Sequence, residues 1–339
     1  MIKNNKRKLL MSVLLIIVIS VIAGCSENSN KEGKNKSSGI VPLYSPGVGG
    51  TNYIISTGIG KMIDDSSELS DTKLSTQSTN GSSEIIKSVS DDYDKGSAAF
   101  GTPASDIATE MYEGEWEELP GEFDEIRAVA RISYAANHVV VPRDSSVESF
   151  EDIEGKKVGM APEGSSPYNF MTKLLEEQYG LTVEEDYEVI PLGNPDIQDG
   201  IKDGSLDVGI LTGAAPASLV TELASTENIK LISADEDKME SFLENYPYYD
   251  SITVEKGTYD GQEQEITLGL FQTMLMTHED ADEDLVYTVM KEMWDQADDL
   301  KEIHPDFEID EDTVLDGIEI PLHPGAEKLY EEEGILDEE

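Results

Sequence analysis

Apolar and polar positions follow two rhythms along the chain. Runs rich in valine, isoleucine and leucine, namely VPLYSP (41–46), AVARISY (128–134), HVVVPRD (138–144), KKVGMA (156–161), LDVGILTG (206–213) and FQTMLMTH (271–278), have the length and bounding turns of strands. Between them, YNFMTKLLEEQYG (168–180), PASLVTELAST (216–226) and DEDLVYTVMKEMWDQADDL (282–300) repeat apolar positions at helical spacing. Strands alternating with helices of this length predict an α/β fold on an open, largely parallel sheet. HVVVPRDSS (138–146) and MLMTHEDAD (274–282) are both apolar strands ending in a charged turn, the pattern of a chain that leaves one lobe and later returns to it. They place lobe one at 40–141 plus 269–339 and lobe two at 142–268.

The first residues read differently. Lys3, Lys6, Arg7 and Lys8 precede an apolar run, LLMSVLLIIVISVIAG (9–24), that ends on Ile22-Ala23-Gly24-Cys25. Basic, apolar and small residues in that order are the parts of an export signal, and the run falls short of the roughly 20 residues of a spanning helix. The ending resembles the bacterial lipoprotein processing box, so residues 1–24 are expected to be a signal peptide and Cys25, the sole cysteine, the lipidated residue. Residues 26–39 carry no apolar side chain to repay the entropy of ordering, and 25–39 is expected to be a flexible tether.

Charge narrows the function classes. The chain of 339 residues has 71 Asp+Glu against 24 Lys+Arg, a formal charge of -47. Such a field repels nucleic acids and anionic headgroups. In an exported protein it predicts adaptation to high salt, which screens the self-repulsion, or to high external pH. Nucleophile chemistry finds no foothold: there is no G-x-S-x-G elbow, and the cysteine sits at the anchor. The four histidines, His138, His278, His304 and His323, lack metal-ligand spacing, and His138 inside an apolar strand predicts a structural role. No enzyme activity, cofactor or metal is expected.

What remains is a set of small-residue turns at strand-to-helix junctions. They are Ser45-Pro46-Gly47-Val48-Gly49-Gly50-Thr51-Asn52-Tyr53, Thr79-Asn80-Gly81-Ser82-Ser83, Phe100-Gly101-Thr102-Pro103-Ala104-Ser105-Asp106 and Ala161-Pro162-Glu163-Gly164-Ser165-Ser166-Pro167. In a parallel sheet that edge is where ligands collect, glycines admit close backbone approach, and helix starts attract anionic oxygen. Any one of these serines also suits a plain helix cap. The first turn matches neither G-x-G-x-x-G nor a phosphate loop. Three arginines, Arg127, Arg131 and Arg143, fall near the expected lobe junction, and Arg143 is a candidate charge partner for a solute or a hinge ion pair. Tyr246-Pro247-Tyr248-Tyr249 suits either a pocket wall, with Tyr248 as candidate, or a seal between lobes.

In this order, SPGVGGTNY (45–53), STNGS (78–82), FGTPASD (100–106), VVVPRDS (139–145), IEGKKVGMAPEGSS (153–166), GSLDVGILTGAAPASL (204–219), ENYPYYD (244–250), GTYDGQEQEI (257–266) and PLHPGAEKLYEEEGI (321–335) resemble one family. It is the TAXI subgroup, the TRAP-associated extracytoplasmic immunogenic proteins, of TRAP-transporter solute receptors. The resemblance implies a two-lobed periplasmic-binding-protein fold of type II topology with a two-strand hinge. It further implies capture of a small polar solute (glutamate or glutamine, a dicarboxylate or an oxoacid) in the interlobe cleft and delivery to sodium-coupled TRAP permease subunits. The receptor would be a monomer held at the outer face of the cell membrane by acylated Cys25. A binding lipoprotein of an ABC importer, or a protein presenting ligand to a sensor kinase, is the alternative. Matched to the family, Gly49, Gly50, Thr51 and Tyr53, then Thr79, Gly81 and Ser82, and Gly164, Ser165 and Ser166 become ligand contacts. So do Thr102 and Pro103, which stand where the family carries a glutamine-serine pair, and Gly213 and Pro216 in a lobe-two turn.

Overall fold

The structure, a computed structural model, describes residues 39–336 except 49, 117, 118 and 120. The expected signal peptide, Cys25, all but the last residue of the tether, and Gly49 lie outside the described residues. Lobe one opens with β1 (Gly39–Ser45), α1 (Thr51–Asp65), β2 (Thr72–Ser78) and α2 (Ser82–Asp94). β3 (Phe100–Gly101) and α3 (Ser105–Glu113) follow, and β4 (Ile126–Pro142) leads out of it. Lobe two holds β5 (Lys157–Met160), α4 (Ser166–Tyr179), β6 (Glu188–Pro191), α5 (Asn194–Asp203) and β7 (Val208–Gly213). It continues through α6 (Ser218–Thr226), β8 (Ile229–Ile232), α7 (Glu236–Leu243) and β9 (Tyr249–Val254). β10 (Ile266–His278) returns to lobe one, which α8 (Glu283–Asp295), α9 (Ala297–Ile303) and α10 (Pro324–Glu332) complete. Among the described residues no helix is long and apolar enough to cross a membrane.

The strands form one sheet in the order β2-β1-β3-β10-β4-β7-β5-β6, with β8 paired to β4 and β9 to β10. β1, β2 and β3 run parallel, as do β5, β6 and β7, while β10 and β4 are antiparallel to each other. Those two strands are shared. β4 pairs with β10 up to Ala136, then with β7 and β8, and β10 pairs with β9 up to Phe271. All thirteen residues of β10 are buried, which explains a nearly continuous apolar run where a one-faced strand would alternate. Separate cores lie on either side of the shared strands: Leu43, Ile59, Val289 and Tyr330 belong to one, Phe170, Leu174, Val208 and Phe242 to another.

Two sequence expectations change. The runs at 128–134 and 138–144 are a single strand of seventeen residues, because the small residues Ala135 and Ala136 between them still find ladder partners on β10 and β7. The helix expected over 282–300 is two, broken at Gln296, which leaves helical geometry with φ −120° and serves as the end of one and the start of the next. No glycine or proline marks that break.

The ending PLHPG has a packing explanation. His323 caps α10, its Nδ1 accepting the Gly325 N–H at 3.1 Å and its Nε2 lying 3.2 Å from the Ala281 carbonyl, while Pro324 supplies the first helical φ. Burial pushes the His323 imidazole down to about 4, so at neutral pH the ring is neutral, with Nδ1 the acceptor and Nε2 the donor. Gly325 lets α10 touch α8: a Cβ there would lie 2.5 Å from the Glu283 carbonyl oxygen and 2.8 Å from the Tyr287 nitrogen.

The lobes also meet through α3 and α4. Asp106, fully buried, accepts hydrogen bonds from Ser166 Oγ at 2.7 Å and from the Tyr249 hydroxyl at 2.9 Å, both from lobe two. One turn on, Glu110 accepts from the Tyr248 hydroxyl at 2.9 Å and pairs with Lys173. Burial pushes the Asp106 carboxyl up to about 6, with Glu110 adding to the rise and the two hydroxyl donors opposing it. A carboxyl whose folded pKa is raised adds stability below its unfolded pKa and loses it as pH climbs through the folded value.

Two outcomes follow. Gly325→Ala should cost about 1–3 kcal/mol in urea denaturation, since the α8 backbone must move away, and an unchanged midpoint would contradict that contact. Asp106→Asn should gain up to about 3 kcal/mol over the parent near pH 7.5, shrinking toward zero near pH 4. A difference independent of pH would show that Asp106 titrates as an ordinary carboxyl.

Candidate functional site

Strand ends of both lobes open on one cavity of about 970 Å³, within the range of small-molecule sites. Lobe one contributes the β1–α1 turn at Pro46, Gly50, Thr51 and Asn52, the last turn of α9 with Lys301, and the segment after it with His304, Asp306 and Glu308. The shared strands supply Ser133, Tyr134 and Thr273, and lobe two supplies Asn194, Thr212 and the loop Gly213–Leu219.

Two asparagines, one per lobe, tie a strand to the helix start opposite it. Asn52 donates to Thr273 Oγ1 and accepts from Ser133 Oγ, both at 3.1 Å, which fixes the start of α1 against β10 and β4. The β4–β10 register shifts at Thr273/Met274, beside this contact, and such bulges re-aim side chains. Asn194 donates to the Thr212 carbonyl at 2.9 Å and accepts its N–H at 3.2 Å, fixing the start of α5 against β7.

Three helices therefore begin at the cavity wall: α1 after Gly50, α5 after Gly193 and α6 after Ala217. None has a side-chain cap. Glycine and alanine at these positions leave the first-turn N–H groups without the oxygen that Ser, Thr or Asp would supply, so the positive ends of three helices bear on one space.

The charges on the wall differ in how fully they are engaged. Glu308 pairs with Arg131, whose buried guanidinium also donates to the Thr313 carbonyl at 2.9 Å and to Gln272 at 3.3 Å. Burial pushes the Asp306 carboxyl up, against the lowering effects of His304 and of the Ala214 N–H bonded to it. Lys301 has no ion-pair partner among the described residues.

The lobe-two loop is held from beneath. Ala217 N–H donates to the Tyr259 hydroxyl at 2.8 Å, and Tyr259 lies 2.8 Å from His138 Nε2, whose Nδ1 is 3.1 Å from the Ala136 carbonyl. Burial pushes His138 down to about 4, so its neutral ring accepts from the tyrosine and donates to the backbone. This is the structural role expected of a histidine within an apolar strand, and it gives Tyr259 in GTYDGQEQEI a purpose. No group of three or more His, Cys, Asp or Glu among the described residues is arranged to hold a metal.

Of the expected contacts, Gly50, Thr51, Gly213 and Pro216 line this cavity, and Gly164 and Tyr248 line a second, smaller one. The others among the described residues lie elsewhere. Tyr53 follows on α1 away from the lining. Thr79 Oγ1 bonds to the Ser45 and Gly81 carbonyls, each at 3.2 Å, and Ser82 Oγ accepts the Ala104 N–H at 3.0 Å. Thr102 Oγ1 lies within 3.2 Å of the Ser45 and Ser56 hydroxyls, and the Pro103 carbonyl accepts from Met274 N–H. These groups stitch neighbouring strand ends together. Ser165 donates to the Pro162 carbonyl, Ser166 joins the lobes at Asp106, and Arg143 donates to the Gly261 carbonyl at 2.8 Å. The sequence reading passed over Asn52, Asn194, Thr212, Ser133 and Lys301. Asn194 directly follows Gly193 and Asn52 stands two residues after Gly50, each at a strand-to-helix junction, a visible signal, whereas Lys301 is brought in from a distant helix.

The strand order, parallel blocks and paired crossing strands are those of two-lobed periplasmic-binding-protein-like folds, and solved structures agree. A TctC solute binding protein from Polaromonas, without ligand, is 14% identical, covers 87% of this chain and 96% of its own, and has a TM-score of 0.52. XAC2383 from Xanthomonas citri, bound to ATP, is 8% identical, with 88% and 97% coverage and a TM-score of 0.53. At these identities the likeness is one of fold. The NMT1-like family model matches residues 43–334, nearly the whole described chain, and the protein belongs to the NMT1-like family.

Proposed function

We propose that the protein is an extracytoplasmic solute receptor that captures a small organic acid of the glutamate, dicarboxylate or oxoacid class in the interlobe cavity. The observation that carries this is the convergence of three uncapped helix starts with the unpaired Lys301 on one space, in a chain of net charge -47. A carboxylate there would take backbone N–H groups near Gly50, Thr51 and Ser218 and the Lys301 ammonium, with the hydroxyls of Thr51 and Thr212 beside it. The site has to offset the field of the acidic surface locally, and helix starts do so without adding exposed basic residues. Capture needs no reaction, and the lobes supply closure by moving about β4 and β10. On the TAXI resemblance, delivery would be to sodium-coupled TRAP permease subunits, from a receptor anchored through Cys25.

Isothermal titration of protein refolded free of trapped solute, with glutamate, glutamine, succinate, 2-oxoglutarate and alanine at low and high salt, tests this. Saturable 1:1 binding of an anionic member is expected, and Lys301→Ala should weaken it by about tenfold or more. Binding confined to neutral solutes and indifferent to Lys301 would sink the organic-acid reading.

A further inference from the structure

A second cavity, of about 340 Å³, lies farther along α3 and α4 and is also shared by the lobes. Its wall is unlike the first. Trp116, Tyr168, Tyr246 and Tyr248 supply rings, and Glu110, Glu115 and Glu163 supply carboxylates. One ammonium already sits there: Lys173 Nζ pairs with Glu110 and lies 5.2 Å from the Tyr246 ring centroid. That arrangement shows what the wall accepts. Of the other rings Tyr168 is part-exposed while Trp116 and Tyr248 are buried, and Glu115 and Glu163 make no ion pair among the described residues.

A second, independent feature narrows the occupant. Among the described residues, two buried donors on wall residues have no partner: the indole N–H of Trp116, a residue only 5% exposed, and the side-chain amide nitrogen of Asn169. A buried donor left unsatisfied costs about 1–3 kcal/mol, a cost that an acceptor oxygen removes. Carboxylates and ring faces call for a cation, and the idle donors call for an oxygen a few bonds away from it.

We propose that this pocket binds a small organic ammonium compound carrying a hydroxyl or carboxylate oxygen, with the ammonium at Glu115, Glu163 and the rings and the oxygen at Trp116 and Asn169. Trp116 belongs to lobe one and Asn169 to lobe two, so the occupant spans the joint next to the Asp106 contact. This site is separate from the organic-acid cavity and stands or falls independently of it.

Trp294, in the lobe-one core, is the other tryptophan, so Trp294→Phe leaves Trp116 as the sole indole reporter. Its fluorescence is titrated with choline, glycine betaine, tetramethylammonium and acetate. Expected is a saturable change with choline or glycine betaine, about fivefold or more weaker affinity for tetramethylammonium, which lacks the oxygen, and no response to acetate. Glu163→Gln and Asn169→Ala, each checked for native circular dichroism, should weaken binding by about three- to tenfold, while Lys301→Ala leaves it unchanged. No saturable change with either oxygen-bearing compound overturns the proposal. So does loss of the response in Lys301→Ala with retention in the Glu163 and Asn169 variants, which would assign it to the first cavity.

Discussion

Everything in this molecule hangs on the antiparallel pairing of β4 with β10. Among the described residues the two strands link the two parallel blocks of the one sheet, and each changes partner part-way: β4 at Ala136, β10 at Leu270 and Phe271. Buried on every residue, β10 is fixed by apolar packing from both faces, so the lobes are cores built outward from a common spine. The cavity sits where that spine is least regular. Its bulges fall at Thr273/Met274 and Leu275/Met276, and the neighbouring Ser133 and Thr273 are the side chains that reach Asn52.

The polar groups of the joint divide into two kinds. Some are spent on structure: the hydroxyls of Thr79, Ser82 and Thr102 bind neighbouring turns, Tyr259 and His138 support the lobe-two loop, and Asp106 and Glu110 couple α3 to α4. Others are left open, chiefly the first-turn N–H groups of α1, α5 and α6 and the ammonium of Lys301. Hydroxyls hold the shape while backbone dipoles present the charge. That division suits a chain whose surface is overwhelmingly acidic, because a helix start supplies positive potential with no counter-charge to be neutralised nearby.

Much of this is legible in the amino-acid sequence. Alternating strand and helix patterns identify an α/β fold, FQTMLMTH reads as a strand, and His138 reads as structural from its apolar neighbours. The glycine turn was correctly seen as a strand-to-helix junction. Less legible was which of several similar turns faces the cavity, because a serine that caps, a serine that braces a strand and a serine that touches ligand share the same local signature. Ser166 illustrates this: it follows the N-cap of α4, yet its hydroxyl crosses to Asp106 sixty residues earlier. Lys301 was invisible for another reason. It lies on a short helix that begins at a break with neither glycine nor proline, and only tertiary packing carries it to the wall.

The position of β10 in the chain governs the order in which the halves can be completed. β3 and β4 are not neighbours; β10 lies between them. Until residues 266–278 have emerged during synthesis, the earlier part of lobe one has a sheet with a missing central strand and β9 has no partner, whereas β4 to β8 pair within one contiguous stretch. The first-made residues therefore finish last. Their closing contacts join segments more than a hundred residues apart, a long-range topology that slows folding.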